Sequence, residues 1–324
     1  MMTLPQPIRV LVTRDFEQMS DVAAEAIGRR IEQLERQKEE VVLGLATGNS
    51  PVGVYARLAV SANRRRLDSS RWRTFNLDEY IGLGEAAATG STPHPRSFRA
   101  FMESHFFEQL ERRPRATFLP AGERIDARRM ALELERYPTS WKALGSSSGR
   151  AIVIGCETAS RYLQWIRQEI LEDYAHRISE AGGIDLQVLG VGGRGHVAFH
   201  EAGIPFELGG LLLVELDEVT REHAVTDGYF TSLERCPRYA LTMSIRLVFQ
   251  AREVIVLASG ARKTRAITRS LLDDPATQIP MSYARLYAQA GGAATFVLDE
   301  IAARGLLDAP REIARRGIEL ADLR

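Results

Sequence analysis

Cysteine is scarce: Cys156 and Cys236 are the only two in 324 residues, and neither stands in a CxxC pattern. That excludes a disulfide framework and a thiolate zinc site of the usual spacing, and leaves two reduced thiols that serve packing. An excess of one charge is lacking too, since 42 Lys and Arg residues meet 42 Asp and Glu residues. No global field then draws the chain to nucleic acid or to an anionic membrane, so a charged ligand has to be held by a local site. Apolar runs all fall short of the ~18 residues that a membrane helix needs. The opening Met1-Met2-Thr3-Leu4-Pro5 leads into a short apolar stretch broken by Arg9 and Arg14, without the apolar core of a signal peptide. The expectation is a cytoplasmic chain that inserts into no membrane. Internal repeats are missing, as is a helix-turn-helix pattern before residue 8, so nucleic acid is not an expected partner.

What is present alternates. Short aliphatic runs at 8–12, 41–45, 74–77, 151–154, 184–189, 211–214 and 253–258 are separated by longer amphipathic stretches. That order reads as βαβ units and predicts an α/β fold: an open, mostly parallel twisted sheet with helices on both faces, one domain over 1–324 with insertions. Between the first two runs, Val22, Ala23, Ala26, Ile27, Ile31 and Leu34 form a helical stripe within 21–38. The least regular stretch is 119–150, where Pro138 and Gly145-Ser146-Ser147-Ser148-Gly149 mark a turn or mobile surface loop. It reads as an insertion near 138–160, because periodic apolar segments resume on both sides.

Three constellations carry chemistry. In Leu43-Gly44-Leu45-Ala46-Thr47-Gly48-Asn49-Ser50-Pro51 a strand runs into a small polar turn and a helix that opens at Pro51. Helix N-terminal amides with small hydroxyls make an anion site suited to phosphate, although Ser50 capping the helix explains the same residues. In Phe75-Asn76-Leu77-Asp78-Glu79-Tyr80 two carboxylates stand where an apolar strand ends. Neighbours in extended chain point opposite ways, so one of them, Asp78, faces the crevice outside the strand ends, or else caps the following turn. In Gly190-Val191-Gly192-Gly193-Arg194-Gly195-His196-Val197-Ala198-Phe199-His200-Glu201 a histidine sits on a glycine-rich turn after a buried run. His196 titrates near neutrality and suits acid/base work, and Glu201 is placed to orient it if the chain turns back. A fourth segment, Leu257-Ala258-Ser259-Gly260-Ala261-Arg262-Lys263, repeats the strand, glycine and helix order, with Lys263 either on a phosphate or in solvent.

Taken together and in this order, these segments resemble the glucosamine-6-phosphate deaminase (isomerase) family, to which 6-phosphogluconolactonase is related. Phe75 to Leu83 is similar to the family's FNMDEY-x-GL, His94-Pro95-Arg96-Ser97-Phe98-Arg99-Ala100-Phe101-Met102 to its HPxSYxxFM, and Gly190 to Glu201 to its GxGxDGHIAFNE. The resemblance spans roughly 8–300 and is interrupted by extra residues at 84–92 and the insertion near 138–160. It implies a Rossmann-like fold, no metal or organic cofactor, and a phosphorylated amino sugar as partner, with a homo-oligomer left open. It implies also that Asp78 moves a proton between C2 and C1 of the open-chain sugar, that His196 assists ring opening, and that Glu201 belongs to its relay. Thr47, Gly48, Asn49, Ser50 and Lys263 would hold the phosphate.

Two positions depart from the pattern. Arg194 stands where the family has an aspartate beside Gly-His, and a guanidinium disfavours the imidazolium that a carboxylate would support. Asp227-Gly228 stand where an arginine is expected before Tyr229-Phe230, so one phosphate-binding cation is missing unless Arg194 replaces it. The alternatives are a sugar phosphate binding protein that has lost the chemistry, or lactone hydrolysis through water activated by His196.

Overall fold

All seven apolar runs form strands. The computed structural model describes residues 4–83, 93–147 and 149–324, so the extra residues expected at 84–92, and Ser148 of the serine turn, lie outside the described residues. In chain order the strands are β1 (Arg9–Thr13), β2 (Val41–Leu45), β3 (Trp72–Asn76), β4 (Asp78–Tyr80), β5 (Ala116–Phe118), β6 (Trp141–Ser146) and β7 (Gly149–Ile154). They continue as β8 (Leu186–Gly190), β9 (Leu211–Glu215), β10 (Tyr239–Met243), β11 (Glu253–Ala258), β12 (Ala293–Asp299) and β13 (Glu319–Asp322).

Eight of them make the expected sheet, in the order β13-β1-β12-β11-β8-β2-β3-β5, with every neighbouring pair parallel. A parallel sheet needs cover on both faces, and the strand residues show it. In β11, Val254 and Val256 pack into one apolar cluster with Ile267 and Leu271 of the helix Ala261–Leu272. Ile255 and Leu257 pack into the other, with Ile27 and Ile31 of the helix Phe16–Glu35 and Leu58 of the helix Asn49–Asn63. The two-residue period of a strand distributes the side chains to the two faces. The helical stripe expected within 21–38 belongs to Phe16–Glu35; the helix starts earlier because the Asp15 carboxylate accepts the Gln18 N–H and caps it.

The runs at 151–154 and 211–214 correct the single-sheet expectation. They are β7 and β9 of a second sheet, antiparallel throughout, in the order β4-β10-β9-β7-β6. The stretch 119–150 is likewise more regular than a turn or loop, for it holds the helix Ala127–Arg136 and β6, the first arm of a hairpin with β7. Most of β6 is exposed, so it lacks the apolar alternation that announces a strand, and Ser146 pairs with Gly149 at the end of the hairpin. Ile152, Leu213 and Leu241 of the second sheet pack in the same cluster as Val254 and Val256, so one core continues between the sheets.

Candidate active site

The sheet order puts β11, β8, β2 and β3 side by side. Being parallel, they end at one edge, and the crevice outside that edge is where open α/β sheets take ligands. Each of the four segments singled out in the sequence leaves one of these ends: Thr47 to Ser50 after β2, Asp78 after β3, Gly190 to Glu201 after β8, and Gly260 to Lys263 after β11.

Two of these exits are helix N-termini without a side-chain cap. Gly48 precedes Asn49–Asn63 with φ +100°, and Gly260 precedes Ala261–Leu272 with φ +88°. The positive φ explains glycine at both positions, and a Cβ at either would meet nothing within 4 Å; the Gly260 N–H is given to the Asp299 carboxylate at 2.9–3.1 Å, so at the second helix a ligand has the first turn after Gly260 to itself and not the Gly260 amide. The helices beginning at Phe16, Phe98, Ala127 and Glu218, by contrast, are closed by the side chains of Asp15, Ser97, Asp126 and Asp217. The first of the open helices begins at Asn49, two residues before the expected Pro51, and Ser50 does not cap it. First-turn amides without helical partners therefore remain for an anion.

Lys263 stands in the first turn of the second open helix and makes no ion pair among the described residues. Burial lowers its pKa, Arg262 lowers it further, and Asp227 opposes both. Asp227 pairs with Arg262 at 2.7 Å. Where the resemblance called for an arginine, the chain thus has an acid that holds an arginine from the neighbouring helix, and the cation is relocated. The Tyr229 hydroxyl lies 3.4 Å from Asn49 Oδ1 and ties this segment to the first open helix.

Asp78 and Glu79 divide as extended neighbours should. Glu79 turns away from the crevice and accepts the backbone N–H groups of Tyr80, Phe98 and Arg99 at 2.9–3.0 Å, two of them at the N-terminus of the helix Phe98–His105. Burial raises it to about 7 against those hydrogen bonds. Asp78 is 5% exposed, with no side-chain hydrogen bond among the described residues, and burial followed by the charge of Glu79 raises its pKa well above the carboxylate range. The chain passes from β3 to β4 through Leu77 alone, so Asp78 stands where the two sheets meet. Opposite it in β10 is Thr242, whose hydroxyl accepts the Phe199 N–H at 3.1 Å and ties the histidine turn to the Asp78 strand.

His196 lies half-buried with Nδ1 2.8 Å from the Ala198 carbonyl. A carbonyl only accepts, so Nδ1 carries the proton and Nε2 keeps a lone pair. Burial is the main cause that pushes the imidazole down to about 4; the Ala198 carbonyl opposes it, and Lys263, His223 and Arg194 add to the lowering in that order. The expected effect of Arg194 has the right sign and is the smallest of the five causes. Gly192 is required by closeness, since a Cβ there would come within 1.9 Å of His196 Nε2.

Arg194 pairs with Asp217, which is 6% exposed and caps the helix Glu218–Thr226. Glu201, 2% exposed, also faces that helix start: burial raises it to about 8, while the Thr220 hydroxyl, Arg194 and the Asp217 backbone hold it down. Its side chain packs where a Cβ on Gly149 would stand. The histidine's proton is thus oriented by Ala198, and Glu201 buttresses the turn from behind. His200, wholly buried, accepts the Ile245 N–H through Nδ1 at 3.2 Å. Sequence reasoning missed Asp217, Arg262 as the partner of Asp227, and the fit of Gly192; an aspartate just before an amphipathic helix was the visible signal for the first. Among the described residues no three His, Cys, Asp or Glu side chains group to hold a metal ion, and no helix is long and apolar enough to cross a membrane.

A parallel sheet whose strand ends present a buried carboxylate, a neutral histidine and an open anion cradle defines a class of enzymes that work on small phosphorylated substrates. The family can be given: residues 14–291 match the model of glucosamine-6-phosphate isomerases/6-phosphogluconolactonase, and the chain belongs to that family. The chain is 35% identical over 301 residues to glucosamine-6-phosphate deaminase of Rhodopirellula baltica, covering 93% of this chain and 96% of that one. It is 30% identical over 299 residues to the deaminase of Clostridium perfringens, covering 92% and 99%. Among solved structures, a monomeric glucosamine-6-phosphate deaminase superposes with a TM-score of 0.68 at 26% identity over 92% of this chain and 99% of that one. The 6-phosphogluconolactonase of Trypanosoma brucei, at 19% identity and TM-score 0.57 over 93% and 99%, shares the fold.

Proposed function

We propose that the chain converts glucosamine 6-phosphate and water to fructose 6-phosphate and ammonia. The observation that carries this reading is Asp78, a buried carboxyl without a hydrogen-bonding partner among the described residues at the junction of the two sheets, on a strand tied through Thr242 to the histidine turn. The substrate phosphate lies against the open helix starts at Asn49 and Ala261, with Thr47, Gly48 and Ser50 around it and Lys263 as the counter-charge. His196, neutral and with Nε2 as base, takes the proton of the anomeric hydroxyl and returns one to the ring oxygen, which opens the ring. Asp78 then removes the C2 proton and delivers it to C1 while the C2 ammonium gives a proton to O1, leaving an iminium at C2 that water hydrolyses to the ketone with release of ammonia. The ammonium on C2 lies next to Asp78 in the bound sugar, and that positive charge draws the raised carboxyl back to its ionised, basic form. Glu201 is a positioning residue for the turn that carries His196.

The whole chain 1–324 is read as one such domain working in the cytoplasm, with the hairpin of β6 and β7 as an addition. The test is ammonia release from glucosamine 6-phosphate by the purified protein. Asp78→Asn should lower kcat by about 10²–10⁴-fold with the fold kept. No release by the unsubstituted protein, or an Asp78→Asn rate equal to it, overturns the reading. Arg194 favours a second reading, binding of a sugar phosphate without turnover, because it leaves His196 without a carboxylate partner; thermal stabilisation by glucosamine 6-phosphate without ammonia release would establish it. Hydrolysis of 6-phosphogluconolactone is the third arm of the same assay.

A further inference from the structure

The hairpin of β6 and β7 has no part in the reaction as proposed, yet its tip closes on the segment that follows His196. Its seat is firm: β7 pairs antiparallel with β9 through Arg150, Ala151 and Ile152, and the Arg150 guanidinium donates to Glu215 at 2.5 Å. At the tip the fit is reciprocal, with a glycine on each side making room for a side chain of the other. A Cβ on Gly149 would stand 2.5 Å from Cβ and 2.6 Å from Cγ of Glu201, and a Cβ on Gly203 would stand 2.8 Å from Oγ and 2.9 Å from Cβ of Ser146. The Ser146 hydroxyl also donates to the Ala202 carbonyl at 3.0 Å. Glu201 has little room to yield, since it is 2% exposed and its carboxyl is held by the Thr220 hydroxyl and the Asp217 backbone.

The residue that needs such a clamp is Ala198. Its φ of +51° lies in the left-handed region, which is unfavourable for a residue with a Cβ and persists where the surroundings fix the chain. Ala198 lies inside a tight turn closed by the His200 N–H on the Val197 carbonyl at 2.9 Å, and its own carbonyl is the partner of His196 Nδ1 at 2.8 Å. The Thr242 hydroxyl fixes this turn at the Phe199 N–H, and the hairpin tip fixes it just beyond, from Glu201 to Gly203.

We propose that the hairpin is a positioning element for the reaction: Gly149 against Glu201 and Ser146 against Ala202 clamp the turn after β8 and so hold the Ala198 carbonyl on His196. Its effect on rate rests on the deaminase reading; its effect on the imidazole does not. In Gly149→Ala the contact with Glu201 Cβ has to open by about 0.9 Å, the difference between 3.4 and 2.5 Å, and an atom next to the main chain moves only with the main chain.

Two readouts test this, the His196 ring signals of histidine-labelled protein by nuclear magnetic resonance, assigned by their loss in His196→Ala, and the steady-state kinetics of ammonia release. Gly149→Ala should shift the His196 signals and lower kcat about tenfold or more, with KM within about twofold, because a reacting group is misplaced while the phosphate cradle is untouched. On a His196→Ala background the same substitution should leave the residual rate unchanged. Gly182→Ala is the control for backbone strain alone: its φ is +79°, a Cβ there would meet nothing within 4 Å, and it lies before β8, at the opposite end from the turn. It should alter neither readout. Ser146→Ala, the milder variant, should shift the same signals and lower kcat about two- to tenfold, the worth of one hydrogen bond. Shifted signals in a chain that releases no ammonia would retain the clamp and remove the deaminase reading. The proposal is overturned if folded Gly149→Ala keeps the signals and kcat of the unsubstituted chain, or if Gly182→Ala changes them equally. Should Gly149→Ala not fold, unshifted His196 signals in Ser146→Ala overturn it.

Discussion

Gly192→Ala tests whether the placing of His196 sets the rate. No strain of backbone is involved, since Gly192 is not among the glycines at positive φ. The added Cβ would stand 1.9 Å from Nε2, 2.0 Å from Cδ2 and 2.5 Å from Cε1 of the imidazole, where ordinary contact begins at 3.4 Å. The ring therefore has to retreat by roughly 1.5 Å, the difference between 3.4 and 1.9 Å. Its anchor is the 2.8 Å hydrogen bond to the Ala198 carbonyl, which does not survive such a shift. A misplacement of about 1 Å in a reacting group is worth about 10²-fold, and the whole acid/base contribution about 10²–10⁴-fold. The expected result is a fall in kcat for ammonia release of about 10²-fold or more, with a loss of stability of about 1–3 kcal/mol from overpacking. A double-mutant cycle with His196→Ala separates the causes, because removing the ring empties the space that the new methyl group needs. On that background Gly192→Ala should change the residual rate little. Unaltered kcat for Gly192→Ala alone, or the same proportional loss with and without the imidazole, refutes the argument that this glycine acts through His196.

Lys263→Ala should raise KM for the sugar phosphate about 10–100-fold, the equivalent of losing a charged hydrogen bond, with a smaller effect on kcat; steady-state kinetics read the split. His200 is pushed down to about 4 by burial against an ordinary 6.5, so its contribution to stability is complete above pH 6.5 and is lost as pH falls through 4, about 3 kcal/mol over that window. Denaturant unfolding at pH 7 and pH 4 should show His200→Asn losing less than the unsubstituted chain; an equal loss sinks the assignment. Glu201 works the other way, its raised value of about 8 giving stability that is lost as pH rises through 8, and Glu201→Gln should flatten that alkaline limb. Arg194→Asp should change kcat by less than about tenfold, because Arg194 is the least of the causes acting on His196. It should destabilise by about 1–3 kcal/mol through the unpaired, buried Asp217, between the values for exposed and buried pairs. A large rate gain measured for Arg194→Asp would show that the guanidinium, and burial only secondarily, governs the histidine.

What was legible in the sequence followed from local rules. Apolar runs of four to six residues with polar turns after them mark buried parallel strands, and Asp78, His196 and Lys263 could be picked out because each follows such a run directly. The cleavage of roles between Asp78 and Glu79 was legible for the same reason, since neighbours on extended chain diverge, although what Glu79 caps lies about twenty residues on and was not. The second sheet was hidden because its edge strand β6 is exposed on both faces, and because β4 is three residues long and reads as the tail of β3.

The substitution at Arg194 shows how far local reading reaches. From the sequence, a cation two residues before His196 acts on it directly, and both the sign and the neighbourhood of that effect are right. The partner that decides where the guanidinium points is Asp217, 23 residues later, at the start of a helix that also carries Thr220 against Glu201. An acid at a helix N-cap is stabilised there with or without a salt bridge, so nothing in the local pattern announces that it holds an arginine from the turn. The pairing gives the cation an acidic partner, and burial is the main cause that keeps His196 neutral. A neutral histidine with a free Nε2 is the form needed to take a proton from a hydroxyl, so the exchange of aspartate for arginine is compatible with ring opening in which His196 begins as the base. It reduces the capacity to begin as the acid.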